Sequence, residues 1–191
     1  WKVFGWAALT FALWNALTIW WIWYATPVGP PAATLASTTM NMIAFMLFHT
    51  VSKKAPKALA YVTLVTAWIT TEYWYTVGDF SWPWLILGNG FSHEVWAVQW
   101  YEYTGVFGGT LWVLLSNILI FEALRARTVR RWTAAACVVA VPIAVSLAIW
   151  GSWEQPDEGT AEVSIVQPNV DCYDKFHSDT QRQEENILDL L

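Results

Sequence analysis

Apolar residues come in five runs of about 20, and all but one of the breaks between them are short. The first run covers about Val3 to Tyr24. As a helix rising about 1.5 Å per residue, it spans a hydrocarbon core of about 30 Å. Trp20, Trp21, Trp23 and Tyr24 gather at its far end, as an interfacial aromatic belt does. It is too long for a signal peptide and lacks a small-residue cleavage site. Pro27, Pro30 and Pro31 then break the pattern and predict a short turn. The second run covers about Ala32 to Val51, and residues 52–57 form a basic turn. The third, about Ala58 to Val77, carries one acid, Glu72. The fourth covers about Thr104 to Leu124 and the fifth about Trp132 to Trp150, with Pro142 inside it. A proline there is tolerated where a neighbouring helix satisfies the freed carbonyl.

Between the third and fourth runs the pattern fails. Trp82 to Tyr103 is aromatic but interrupted by Pro83, Gly88, Asn89, Gly90, His93 and Glu94. Within a bilayer no water satisfies backbone groups released by such breaks, so this stretch is not a spanning helix. Tryptophan favours the interface, where its ring is half buried and its N–H stays wet. Residues 78–103 therefore read as a loop resting on the membrane and feeding straight into the fourth span.

Composition agrees with a membrane protein: 13% of residues are charged, against about 25% in a soluble domain. The net charge of −5 hides an asymmetry, because ten of the fifteen acids follow residue 150. Lys2, Lys53, Lys54, Lys57, Arg125, Arg127, Arg130 and Arg131 instead flank the apolar runs. If these turns are cytoplasmic, the five spans alternate without conflict, and residues 25–31, 78–103 and 151–191 lie outside. No basic stripe with interleaved aromatics exists, which argues against a nucleic-acid partner.

After the last run the chain changes character. Residues 152–161 read as a polar linker, Val163 to Val166 as a short strand, and Asp179 onward as an amphipathic helix. That is how many α/β domains begin. The expected architecture is mainly α: a bundle of about five spans over residues 1–151, then the first strand and helix of an external α/β domain over 162–191. A start at Trp1 and a stop inside a helix-like pattern suggest a fragment.

Few residues offer chemistry. Glu72 is an ionisable group inside a span, hence a functional candidate, though a hydrated position near the outer surface is the alternative. Gly105 and Gly109 have the spacing that lets another helix approach closely. His93-Glu94 lacks the second histidine of a zinc-binding helix motif. Cys172 lies near Asp171 and Asp174, which oppose thiolate formation, and Cys137 reads as an ordinary buried apolar residue of the fifth span.

The order of the spans and three stretches together resemble the bacterial apolipoprotein N-acyltransferase family. The stretches are WITTEYWYTVGDFSWPWLILGN, TGVFGGTLWVLLSNILIF and VSIVQPNV. The family's Trp and Glu on one helix match Trp68 and Glu72, and its Phe-Pro-Trp-Leu-like loop matches Trp82 to Leu85. Gly105, Asn117 and the strand ending at Gln167 match further motifs. Tyr75 stands where the family usually has Arg, so a fixed Glu–Arg pair is not carried over. The resemblance implies transfer of an acyl chain from a phospholipid donor to the N-terminal amine of diacylglyceryl-cysteine on a lipoprotein acceptor, through a thioester. It also implies a multi-pass protein of the bacterial inner membrane, with a nitrilase-like domain on the periplasmic side. No metal or cofactor is implied. That domain's Glu, Lys and Cys would lie beyond Leu191, so no catalytic residue is expected in this chain. Glu72, Trp82, Trp84, Trp96 and Trp100 are the residues expected at the substrate approach. The rival classes are a small polytopic transporter, with Glu72 and the aromatic break as a pathway, and a membrane scaffold.

The charge pattern generates a direct test. In intact cells an impermeant thiol reagent should label a cysteine placed at Gly90 or Gly159, but not one placed at Lys54. Labelling at Lys54 would overturn the orientation.

Overall fold

The computed structural model describes residues 1–77 and 81–154, with 159, 160, 162, 163, 165, 167 and 188 of the tail. The chain divides into two compact units, Trp1–Trp153 and Glu154–Leu191. Five long helices occupy the first: α1 (Lys2–Ile19), α2 (Gly29–Ser52), α3 (Lys57–Val77), α4 (Tyr101–Ala126) and α5 (Val129–Ser152). Each packs against the next in sequence. A buried cluster of Ala44, Trp68 and Leu114 ties α2, α3 and α4, and Phe11 and Trp14 of α1 close over it. The outer faces stay apolar: Leu17, Leu35, Leu124 and Val141 are all exposed. Continuous exposed apolar surface of this kind suits a bilayer and not water.

Four segments are long and apolar enough to cross a membrane: Lys2–Tyr24, Gly29–Ser52, Tyr101–Ala126 and Val129–Ser152. The expected third span is the exception. Helix α3 forms with 21 residues, but five threonines, three tyrosines and Glu72 dilute its hydropathy. Much of that polarity is satisfied within the bundle. Thr63 and Thr66 donate to the carbonyls of Leu59 and Val62, one turn back.

Helix ends differ from the hydropathy pattern for local reasons. α1 tightens into a 3₁₀ turn over Trp20–Tyr24. α2 begins at Gly29, before the apolar run, because Pro30 and Pro31 fall in its first turn, where the missing N–H costs nothing. α4 starts at Tyr101 and not Thr104, and Gly105 interrupts it with φ 62° and ψ −172°. Only glycine adopts that backbone cheaply. The break, not a helix–helix contact, is what Gly105 provides.

Pro142 has the expected partner. It removes the hydrogen bond that would reach the Val138 carbonyl, and the Trp112 indole of α4 donates to that carbonyl at 2.7 Å. The opposite end of the α3–α4 pair is clipped by Glu122, which forms an ion pair with Lys57 and accepts from the Tyr61 hydroxyl at 2.6 Å. Lys57 is half exposed, so that pair contributes about 0–1 kcal/mol.

No strand occurs among the described residues. Of the expected strand, Val163 and Ile165 are exposed and in no regular structure, while Ser164 and Val166 lie outside the described residues. Cys172 and, apart from Leu188, the expected helix after Asp179 also lie outside them. The start of a nitrilase-like domain over 162–191 is therefore not evident in the described residues.

Candidate functional site

The aromatic loop does not hang free. Its backbone folds as three 3₁₀ turns, Pro83–Leu85, Leu87–Phe91 and Val95–Ala97. They dock in order on α3, α4 and α5. Turns this short leave backbone donors and acceptors open, and where packing excludes water side chains must satisfy them.

Glu72 meets one part of that demand directly and another through Thr110. It is 5% exposed, on α3, five residues or about 7.5 Å of helix rise before Val77. Its Oε1 accepts from the Trp68 indole N–H at 3.0 Å and from the Leu87 backbone N–H at 2.9 Å. Its Oε2 accepts from the Thr110 hydroxyl of α4 at 2.5 Å. Thr110 in turn accepts from the Gly88 N–H at 3.2 Å, and the Gly88 carbonyl accepts from the Tyr101 hydroxyl at 2.9 Å. One carboxylate thus joins α3, the loop and α4. The alternative of a hydrated Glu72 does not describe this position.

The approach is close enough to demand glycine. A Cβ on Gly88 would collide with the Val106 carbonyl, and one on Gly109 with the Tyr101 phenol and the Gly88 backbone. Gly109 therefore receives the loop. At the far end Ser146 of α5 donates to the Trp96 carbonyl at 2.8 Å and accepts from the Gln99 N–H at 2.6 Å.

The four loop tryptophans have different surroundings. Trp100 packs edge-on against Trp112, with ring centroids 5.7 Å apart, beside the buried Ala97 and Val98. Trp82 is half buried, and its backbone N–H donates to the Tyr75 carbonyl at 2.9 Å. Trp84 is 62% exposed and meets Trp21 edge-on at 5.6 Å. Trp96 is 46% exposed. Trp82 and Trp84 sit on the turn that docks on α3, and Trp96 on the turn that docks on α5.

Thr110, Tyr101 and Ser146 were not singled out by sequence. Most threonines of the bundle, such as Thr10, Thr18 and Thr133, bond their own helix one turn back. Thr110 and Ser146 depart from that habit, which only the fold reveals. Asn117 donates to Val113 of its own helix at 2.8 Å. Cys137, expected to be buried, is free and exposed, because it lies on a face of α5 that no other described helix covers. Among the described residues no three of His, Cys, Asp and Glu stand together as metal ligands.

This network should be coupled. Glu72→Gln turns an NH₂ toward a donor, and Thr110→Val strands both Oε2 and the Gly88 N–H. Each should destabilise by about 1–3 kcal/mol. In a double-mutant cycle the coupling should reach about 1 kcal/mol or more. Additivity within about 0.5 kcal/mol would show that the contact holds nothing.

Comparison with known proteins bears on the same region. Residues 1–119, including Glu72, the loop and Thr110, match the apolipoprotein N-acyltransferase N-terminal domain family. The chain is also 25% identical over 175 residues to the apolipoprotein N-acyltransferase of Chlorobaculum tepidum, covering 88% of this chain and 33% of that protein. It thus spans about a third of the length of that curated relative. No solved structure matches. With a membrane helix bundle around a pinned aromatic loop and a family match over more than half its length, the chain belongs to the apolipoprotein N-acyltransferase N-terminal domain family.

Proposed function

We propose that this bundle is the membrane part of an enzyme that moves an acyl chain from a phospholipid to the N-terminal amine of diacylglyceryl-cysteine on lipoproteins, through a thioester. In this reading α3 completes a set of five spans in the bacterial inner membrane. The aromatic loop then faces the periplasm and forms part of the wall past which acyl chains reach the reacting groups. Glu, Lys and Cys of a nitrilase-like domain carry the chemistry, and no residue of the bundle does. A thiolate attacks the donor ester, a carboxylate moves the proton, and an ammonium steadies the oxyanion.

One observation carries the loop's part in this. The loop is fastened to α3, α4 and α5 through its backbone, while Trp84 and Trp96 remain exposed. Fastening by side chains of the bundle frees those two rings from an anchoring role within the fold. Both substrates are lipid-anchored, so an apolar surface at this level suits their approach.

The test is kcat/KM of the full-length enzyme with long- and short-chain phospholipid donors, for Trp84→Ala against wild type and per folded molecule. A wall residue should lower the long-chain value by about tenfold, roughly 1.4 kcal/mol of barrier, and the short-chain value less. Wild-type values with both donors would leave Trp84 as a membrane anchor only.

A further inference from the structure

The two halves of the aromatic loop are fastened unequally. The inner half, Leu87–Phe91, is held by the buried Glu72 and Thr110. The outer half, residues 95–104, runs from the turn Val95–Ala97 into the first turn of α4. Two hydroxyls hold it: Ser146 bonds the Trp96 carbonyl and the Gln99 N–H, and Tyr101 bonds the Gly88 carbonyl. Both of its ends are weak points. On one side Ser92, His93 and Glu94 form an exposed polar link between two turns. On the other, Gly105 is exposed and has φ 62° and ψ −172° within α4. Packing is incomplete where the halves meet. Gly88 and Phe91 of the inner half, Val95, Val98 and Tyr101 of the outer half, and Val106 of α4 line a cavity of about 300 Å³.

We propose that residues 95–104 form a flap that opens about Gly105 and the link 92–94, while Glu72 keeps the inner half in place. Two backbone states of different shape are open to Gly105. In the state observed its φ is positive, and the first turn of α4 lies back on the helix. Gly108 leaves room there for Thr104 and the Trp100 ring, and Gly109 for the Tyr101 phenol. With helical φ and ψ at residue 105, the i→i−4 ladder would run through the break and α4 would be straight from Tyr101. Straightening carries Tyr101 off the Gly88 carbonyl and joins the cavity to the outside. Packing does not demand a glycine at the hinge, since a Cβ on Gly105 would meet nothing within 4 Å. The states are closely balanced. The shut flap has the Tyr101 hydrogen bond, two from Ser146 and the edge-on contact of Trp100 with Trp112. Against it stand the interrupted ladder and the Trp100 indole N–H, which is buried with no partner. Hinges elsewhere likewise absorb their motion in a few backbone angles at element ends. The flap stands whether or not the bundle serves acyl transfer, so its test needs no turnover.

Full-length protein in lipid nanodiscs is read by fluorine NMR, with trifluoromethylphenylalanine in place of one residue at a time. One probe replaces Tyr103, 75% exposed on the flap, and the other replaces Trp84, 62% exposed and outside it. In otherwise wild-type protein the probe at 103 should report a major and a minor state, and the probe at 84 a single one. Gly105→Ala should raise the minor-to-major ratio at 103 by about tenfold or more, because alanine accepts the helical backbone and not the observed one. Tyr101→Phe removes one hydroxyl and keeps the ring, and should raise the ratio about threefold or more. Neither change should alter the signal at 84. Should Gly105→Ala not fold, Tyr101→Phe decides alone. A signal at 103 that the folded variants leave unchanged, or an equal response at 84, would overturn the flap.

Discussion

A backbone that leaves helical geometry inside a packed bundle loses water as a hydrogen-bond partner, and the rest of this bundle is arranged around that constraint. The loop between α3 and α4 breaks into three short turns. Glu72 answers from α3, Thr110 and Tyr101 from α4, and Ser146 from α5. An acid inside such a bundle is expensive unless its lone pairs are used. Here three donors use them, and one of the three, Thr110, passes the connection on to Gly88. The glycines follow from the same demand. Gly88 and Gly109 let loop and helix touch, and Gly105 breaks α4 where the loop enters it.

Once the loop is held through its backbone, its side chains are released for other tasks. Trp100 turns inward against Trp112, whose indole also completes the Val138 carbonyl opposite Pro142. Trp84 and Trp96 face outward. Trp82 borders a cavity lined by α2 and α3. A loop fastened at both ends is a surface with a defined shape, which is what an approach path for lipid substrates requires. The proposed acyl transfer needs that shape at the level of the interface, where both substrates are anchored.

Much of this was legible in the sequence because hydropathy is a strong signal. The five long helices, the non-helical aromatic stretch and the need for a partner at Pro142 all follow from residue order. The third run reads as a span by its length, yet the threonines and Glu72 of α3 leave it outside the four segments long and apolar enough to cross a membrane, although Glu72 is buried and bonded in the bundle. The network itself was hidden. Thr110 looks like any helix threonine, and whether it bonds its own turn or a distant glutamate is decided by which helix lies opposite. The pair Gly105 and Gly109 shows the same limit. Spacing suggested a helix contact, but one glycine breaks the helix and the other receives the loop. The strand pattern after residue 162 has no counterpart at Val163 and Ile165.

The central claim is that Glu72 holds the loop in place, and amide hydrogen exchange at Leu87 and Gly88 measures it most directly. In wild-type protein in lipid nanodiscs both amides should exchange slowly, since one donates to Glu72 and the other to Thr110. In Glu72→Ala both should speed up by about tenfold or more, corresponding to about 1.4 kcal/mol, while amides within α1 and α2 keep their protection. Unchanged exchange at Leu87 and Gly88 in a folded Glu72→Ala protein would contradict the account.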